Sequence, residues 1–437
     1  MTEPLKVGVA GLGTVGASVV RILGRRAEEL AARAGRPIVV TAVSARDKGR
    51  DRGLDLAGVA WHMDPSQLAR SNDVDLVVEL IGGAEGAARA CVETAIGAGR
   101  PVVTANKALL AKHGVALATA AEAAGAPIGF EAAVAGGVPV VKTLRESLAA
   151  NRVSRVFGIL NGTCNYILTR MEADKIGFAE CLADAQRLGY AEADPTFDVG
   201  GFDTAHKLAL LASLAFGTEV DADGIYVEGI ASITPFDLAM AEELGFRVKL
   251  LGVATRGEDG SVEQRVHPSM LPRESAIARV DGVTNAVEID GDAVGALVLA
   301  GPGAGGDATA SAVIADIVDI ARGVRLPTFG VPAAQLARPT RAPMGLHEGG
   351  YYIRLSVIDR PGAAAAIATR MAEQGISLKS IVQRGRAPDL DRPGADPVAV
   401  VLITYATTEA ALRSALDAIE ADGHIDGAPQ VIRIERR

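Results

Sequence analysis

The sequence predicts an α/β protein of three domains, and three observations predict it. Over residues 1–130, short apolar strands alternate with helices, as a parallel sheet requires, because parallel strands must be joined by crossovers. A glycine-rich helix entrance recurs at Gly301–Gly306, so the chain is expected to return to its first domain after building a second. The last stretch runs strand, helix, strand, strand, helix, strand, the order of a ferredoxin-like unit. The expected division is 1–130 with 301–325, a middle α+β domain over 131–300, a linker over 326–349 and a terminal unit over 350–437.

Bulk properties narrow the function classes. The formal net charge of −9 over 437 residues, with no basic cluster, argues against a nucleic-acid partner. Cys91, Cys164 and Cys181 are scattered and form no CxxC or Cys/His spacing, which suits a reducing cytoplasm. The N-terminus enters a strand at once (LKVGVAGLG), so no secretory leader is expected, and no apolar run is long enough for a membrane partner.

The first strand, Leu5–Ala10, runs into Gly11-Leu12-Gly13-Thr14-Val15-Gly16 and then a helix. Strand, GxGxxG and helix in that order read as a Rossmann-type dinucleotide site. Gly11 allows the tight turn, Gly13 lets backbone approach a pyrophosphate, Gly16 lets the helix pack on the strand, and Thr14 and Val15 open the helix. The second strand, Ile38–Val43, is followed by Ser44-Ala45-Arg46-Asp47-Lys48. Arg46 and Lys48 could hold a 2′-phosphate, which favours NADPH, while Asp47 leaves NADH open. Two further strands, Asp75–Gly83 and Pro101–Thr104, should bring Gly83, Thr104 and Lys107 to the carboxyl edge of the sheet, where ligands bind.

Ile128–Pro139 reads as a strand leaving the nucleotide domain through a glycine-rich loop. One carboxylate, Glu131, and exposed carbonyls would be hard oxygen ligands for a hard cation; the alternative is an ordinary hinge. Val156–Leu160 is a strand followed by Asn161-Gly162-Thr163-Cys164-Asn165-Tyr166 and a helix. A cysteine at a helix N-terminus raises the alternative of a phosphorylating aldehyde dehydrogenase with Cys164 as nucleophile. Short strands between 229 and 300 complete the middle domain and offer an oligomer surface.

The most informative segment is Ala185–Lys207, AQRLGYAEADPTFDVGGFDTAHK. Glu192, Asp194, Asp198 and Asp203 lie in a stretch broken by Gly189, Pro195, Gly200 and Gly201, ahead of a helix beginning near Phe202. Asp203 and Lys207 are four apart, so they share a helical face that continues through Leu210, Leu211 and Leu214. The pair reads either as a surface ion pair or as a partly desolvated proton-handling lysine among carboxylates. The apolar continuation of the face favours the second.

Ala185, Gly189, Tyr190, Asp194, Pro195, Asp198, Gly201, Asp203 and Lys207 resemble, in identity and spacing, the signature of homoserine dehydrogenases. The resemblance implies interconversion of L-aspartate 4-semialdehyde and L-homoserine, on the route to threonine and methionine, by the monofunctional form of the enzyme. It implies that Lys207 donates the proton, that Glu192 and Asp203 bind the substrate, and that Asp198 supports the site. Lys107 is implied near the nicotinamide and the substrate, and Gly305 near the cofactor. It also implies a monovalent cation, Na+, on the Glu131 carboxylate and the carbonyls of Val134, Gly136 and Val138.

In the terminal unit, Asp359-Arg360-Pro361-Gly362 before the helix and Gly375-Ile376-Ser377 after it resemble an ACT domain. That resemblance implies an amino-acid ligand near Asp359, Gly362 and Ile376, with L-threonine the expected allosteric ligand, and a homo-oligomer, dimer or tetramer. A third reading keeps the tail as the function and makes the chain a non-catalytic amino-acid sensor.

Overall fold

The computed structural model describes residues 2–358, 360–384 and 397–435. Asp359 and residues 385–396 of the tail lie outside the described residues. Two sheets organise the chain. The first is parallel throughout: β1 (Leu5–Ala10), β2 (Ile38–Ser44), β3 (Ala60–His62), β4 (Leu76–Glu79), β5 (Val102–Thr104) and β6 (Ile128–Gly129), in the order β3-β2-β1-β4-β5-β6. The order reverses between β1 and β4, so their carboxyl ends open a crevice. All of β4 is buried, as expected where helices cover both faces. On one face, Val7, Val9 and Val78 pack with Val19 and Leu23 of the helix Thr14–Arg25 and Val313 and Ile317 of the helix Gly306–Ala321. The helix that follows the second glycine-rich turn thus packs on the first sheet.

β4 ends earlier than its apolar run suggests. The buried carboxylate of Glu79 accepts hydrogen bonds from the amides of Ile81 and Gly82 at 2.8 and 3.0 Å. That folds the chain into a turn in which Gly82 and Gly83 both have positive φ.

The second sheet is mixed and contains eleven strands. The middle domain contributes β7 (Val153–Ile159), β8 (Tyr226–Val227), β9 (Phe246–Arg256), β10 (Val262–Pro272), β11 (Thr284–Gly291) and β12 (Gly295–Pro302). The tail contributes β13 (Glu348–Val357), β14 (Leu378–Arg384), β15 (Val398–Thr404), β16 (Thr407–Thr408) and β17 (Gln430–Ile434). The main path is β12-β11-β7-β9-β10-β17-β13-β15-β14. With helices Ala363–Glu373 and Glu409–Ala421, the tail has the expected strand and helix order, and its sheet order, β17-β13-β15-β14, is that of a ferredoxin-like unit.

The tail is joined to the middle domain through this sheet. β17 pairs in parallel with β10 at Ser269↔Arg433 and Met270↔Ile434. The 326–349 stretch is pinned rather than free. It bridges Thr218 to Ala337 and Val262 to Arg341, because a proline-rich extended backbone can still pair along a neighbouring edge.

Candidate active site

A cavity of about 550 Å³ lies where the two sheets meet. Its centre is built from the end of β7. Asn161 caps the helix Gly162–Asp174, its side-chain oxygen accepting from the Cys164 amide at 2.8 Å. Its amide nitrogen donates to Asp198 Oδ1 at 2.8 Å and to Asp203 Oδ2 at 2.9 Å. One side chain therefore ties the helix start to both carboxylates.

Asp203 opens the helix Phe202–Phe216 and is buried, as is Lys207 one turn later. Lys207 Nζ donates to Asp203 Oδ2 and to the Leu160 carbonyl, each at 2.7 Å. Lys107, first residue of the helix Lys107–Ala124, reaches across from the nucleotide domain to Asp203 Oδ1 at 3.1 Å. Burial works to raise the Asp203 pKa, but the ammonium groups of Lys207 and Lys107 outweigh it and hold the carboxyl below its usual range. Asp198 is shifted the other way, by burial and then by the charge of Asp203.

The sequence-derived candidates fall into distinct places. Lys107, Lys207, Asp198, Asp203, Val15, Gly136 and Gly305 line the cavity. Glu192 is exposed and is absent from that lining. Both oxygens of Asp203 already engage lysine ammonium groups, so its geometry is that of a lysine clamp. Cys164 is fully buried, and its thiol donates to the Asp198 carbonyl at 3.2 Å. Burial, with Asp198 and Asp203 nearby, pushes the thiol pKa well up. His206, the histidine base that a Cys164 nucleophile would need, packs edge-on against Phe197 at 5.3 Å.

The glycines of the first turn are constrained as expected. A Cβ on Gly11, where φ is +101°, would lie 2.4 Å from the Leu80 carbonyl, and one on Gly16 would lie 1.9 Å from the Gly11 carbonyl. Gly13 faces open space, and no acid or side-chain cap occupies that helix N-terminus. An anionic pyrophosphate fits it. Thr14 is exposed beside it. Arg46 and Lys48 are exposed beyond β2. Thr104 is buried, and its hydroxyl is spent on Glu79 at 2.6 Å. The Gly83 carbonyl accepts from Asn106 at 2.8 Å. Thr104 and Gly83 thus shape the strand ends.

In the loop after β6, Glu131 is buried and accepts the amides of Val141 and Lys142 at 2.9 and 2.8 Å. Burial and Asp316 push its pKa up to about 7. Val134 and Val138 are buried beside it, and Gly136 turns the loop at φ +57°. A buried carboxylate in a glycine-turned loop suits a monovalent cation. In the tail, Gly362 caps its helix at φ +93°, and Ile376 is buried in the tail core with Ile367 and Met371.

Sequence reading missed three groups. Asn161 is the hub of the carboxylate pair; its signal was an Asn between a strand end and a helix. Arg52 lies over the Trp61 ring at 5.7 Å and donates to the Leu12 carbonyl at 3.1 Å, beside the glycine turn; nothing local announces it. Lys249 is 1% exposed and donates to the Asn165 side chain at 3.1 Å and the Val280 carbonyl at 2.6 Å. It braces the segment leading to Val283, which lines the cavity.

Burial, then the charge of Arg247, lowers the Lys249 pKa from 10.5 to about 8, against the pull of Asp281 and Glu172. Between these values the unfolded chain keeps a proton that the folded chain has released, so this group's contribution to stability rises with pH. The urea midpoint of the wild type should therefore gain on that of Lys249→Met between about pH 7.5 and about pH 9.5. A constant gap would show that Lys249 does not titrate there.

The comparisons with known proteins agree with this architecture. The family model "Homoserine dehydrogenase, NAD binding domain" matches residues 11–131, and "Homoserine dehydrogenase" matches residues 139–318. The chain is 42% identical over 439 aligned residues to a homoserine dehydrogenase of Neisseria gonorrhoeae, covering 99% of each chain. The solved homoserine dehydrogenase of Thiobacillus denitrificans superposes with a TM-score of 0.92 at 44% identity, over 99% of this chain and 98% of that one. A hyperthermophilic archaeal homoserine dehydrogenase, solved in complex with NADPH, matches with a TM-score of 0.62 at 25% identity, over 72% of this chain and 97% of that one. With two family models over its nucleotide and middle domains and relatives aligned along nearly its whole length, the chain belongs to the homoserine dehydrogenase family of NAD(P)-dependent oxidoreductases.

Proposed function

We propose that this chain interconverts L-aspartate 4-semialdehyde and L-homoserine, with NADPH preferred over NADH. The observation that carries the reading is the clamp of Asp203 between Lys207 and Lys107 inside one cavity. When bound, the nicotinamide nucleotide supplies the hydride. Lys207 gives its proton to the alkoxide that forms from the aldehyde oxygen, and Lys107 offsets the same developing charge. Asp203 keeps both ammonium groups in place. Asp198 supports the site from the cavity wall, and Glu192 is the carboxylate left to meet the substrate ammonium. The Leu160 carbonyl holds Lys207 and the Asn161 amide holds Asp203 in this arrangement. Arg46 and Lys48 meet the 2′-phosphate, which is the basis for NADPH.

Na+ is held by Glu131 and the carbonyls of Val134, Gly136 and Val138 in this reading. NaCl should raise the melting temperature more than choline chloride at equal ionic strength; equal effects would remove the cation. The tail acts as an ACT-type regulatory domain for L-threonine. A dimer or tetramer forms along the exposed edge strand β12, in the cytoplasm.

The test is NADPH oxidation with L-aspartate 4-semialdehyde, without added phosphate, with and without L-threonine. Turnover suppressed by threonine supports both halves of the reading, and turnover without suppression removes the regulatory half. Absence of turnover with either nucleotide removes the catalytic half. Cys164→Ser should keep turnover within about tenfold of wild type, since its thiol is buried and protonated. A loss of several orders of magnitude, with phosphate dependence in the wild type, would restore the cysteine mechanism.

A further inference from the structure

Lys249 is a buried ammonium that the reaction as described does not use. It lies within β9 with 1% of its surface exposed. Its Nζ donates to Asn165 Oδ1 at 3.1 Å, to the Val280 carbonyl at 2.6 Å and to Asp281 Oδ1 at 3.3 Å. An ammonium has three N–H donors, so each of them is spent. A neutral amine has two and would leave one of these acceptors without its donor. Asn165, also 1% exposed, is spent at both ends. Its amide nitrogen donates to the Val280 carbonyl at 3.1 Å and to the Gly282 carbonyl at 2.9 Å. Strand β9, the helix Gly162–Asp174 and the segment 280–282 are thus tied in one knot.

Two routes lead from this knot to the proton donor and its carboxylates. Along the helix, the Asn165 backbone amide donates to the Asn161 carbonyl at 3.3 Å. The Asn161 side chain in turn holds Asp198 and Asp203 at 2.8 and 2.9 Å. Along the chain, the segment 280–282 carries Val283, which lines the cavity. The Val283 carbonyl would lie 2.7 Å from a Cβ on Gly162, so this contact has no slack. Two residues on, Asn285 of β11 donates to the Leu160 carbonyl at 3.0 Å, the same oxygen that accepts from Lys207 at 2.7 Å. A close-packed interior passes a displacement on rather than absorbing it.

We propose that Lys249 is a positioning residue for the reaction: its ammonium, through Asn165 and the segment 280–282, fixes both the Asp198–Asp203 pair and the carbonyl that holds Lys207. Lys249 does not line the cavity, so its role is read through kcat and pH rather than through binding. The charged groups facing it are Arg247 on its own strand, Glu172 on the helix and Asp281 on the segment. Its cross-strand neighbour on β10, Ser269, is neutral. Burial, then Arg247, brings the Lys249 pKa down to about 8, and Asp281 works to hold the proton. Rising pH therefore adds to stability at this group and at the same time takes a donor from the knot. Stability and turnover are expected to move in opposite directions over one pH range.

The test is kcat for NADPH oxidation with L-aspartate 4-semialdehyde, and the urea midpoint, each followed from about pH 6.5 to about pH 9.5. In the wild type, kcat should fall about threefold or more above about pH 7.5, while the midpoint gains on that of Lys249→Met. Lys249→Met should lower kcat about tenfold at about pH 7, leave the KM for nucleotide near wild type and flatten that fall. Asp281→Asn changes a side chain that is 52% exposed. It should move the fall to lower pH by about half a unit, which a purely structural brace would not do.

A folded Lys249→Met with wild-type kcat, or with the wild-type pH dependence, overturns the proposal. So does an Asp281→Asn profile that stays in place, and that variant decides alone if Lys249→Met does not fold. The proposal rests on the catalytic reading above. A wild type that turns over no semialdehyde at any pH removes both, whereas an active wild type with either failure removes only the role of Lys249.

Discussion

Lys207→Ala should fold, bind nucleotide and lose turnover by about 10²-fold or more, the usual scale for removing a general acid. The fold should survive because Asp203 would still have Lys107 at 3.1 Å and Asn161 at 2.9 Å. The Leu160 carbonyl would lose one donor and keep Asn285 at 3.0 Å. Turnover should fall because Lys207 is the buried ammonium of the cavity, held by two 2.7 Å hydrogen bonds, whereas Lys107 is over a third exposed and reaches in from the other domain. The kinetic signature should be a drop in kcat with little change in KM for nucleotide. Near-normal kcat in a folded variant would take the proton transfer away from Lys207.

Arg433→Met should cost about 3 kcal/mol, because it leaves the buried Glu409 and the half-buried Glu228 to the partly exposed Arg413. Arg433 is 1% exposed and donates to Glu409 at 2.7 Å and to Glu228 at 2.8 Å. Burial acts to lower its pKa, and the two carboxylates override that to raise it. The loss should appear as a lower urea midpoint. Adding Glu409→Gln should recover part of it, since one of the stranded charges is then removed. If the double variant is no more stable than the single, lost packing rather than unpaired charge explains the effect. Glu228 belongs to the middle domain and Glu409 to the tail, so the same substitution should loosen the tail from β10.

The site was legible in the sequence where its chemistry is local. Asp203 and Lys207 lie one helical turn apart, and the apolar face behind them marked the pair as buried; both are buried. The glycine turn was legible for the same reason: strand, turn and helix are consecutive. Glu192 was singled out by belonging to the same short run, but an acid in an exposed loop has no neighbour in sequence to say which way it faces. Thr104 was placed at a strand end correctly, while its partner Glu79 lies 25 positions away and could not be read.

Taken alone, the chain's periodicities and glycine spacing determine the parallel nucleotide sheet, the helix carrying the lysine, and the strand and helix order of the tail. These follow from contacts within a few residues of each other, where turn chemistry and the helical repeat act directly. The tertiary structure alone decided that Asp203 is shared by lysines from two domains, that Asn161 joins two carboxylates, and that β17 enters the middle domain's sheet beside β8. Each depends on groups far apart in the chain. Their pairing is set by which buried charge needs a partner and which strand edge is open, and only the folded chain brings those together.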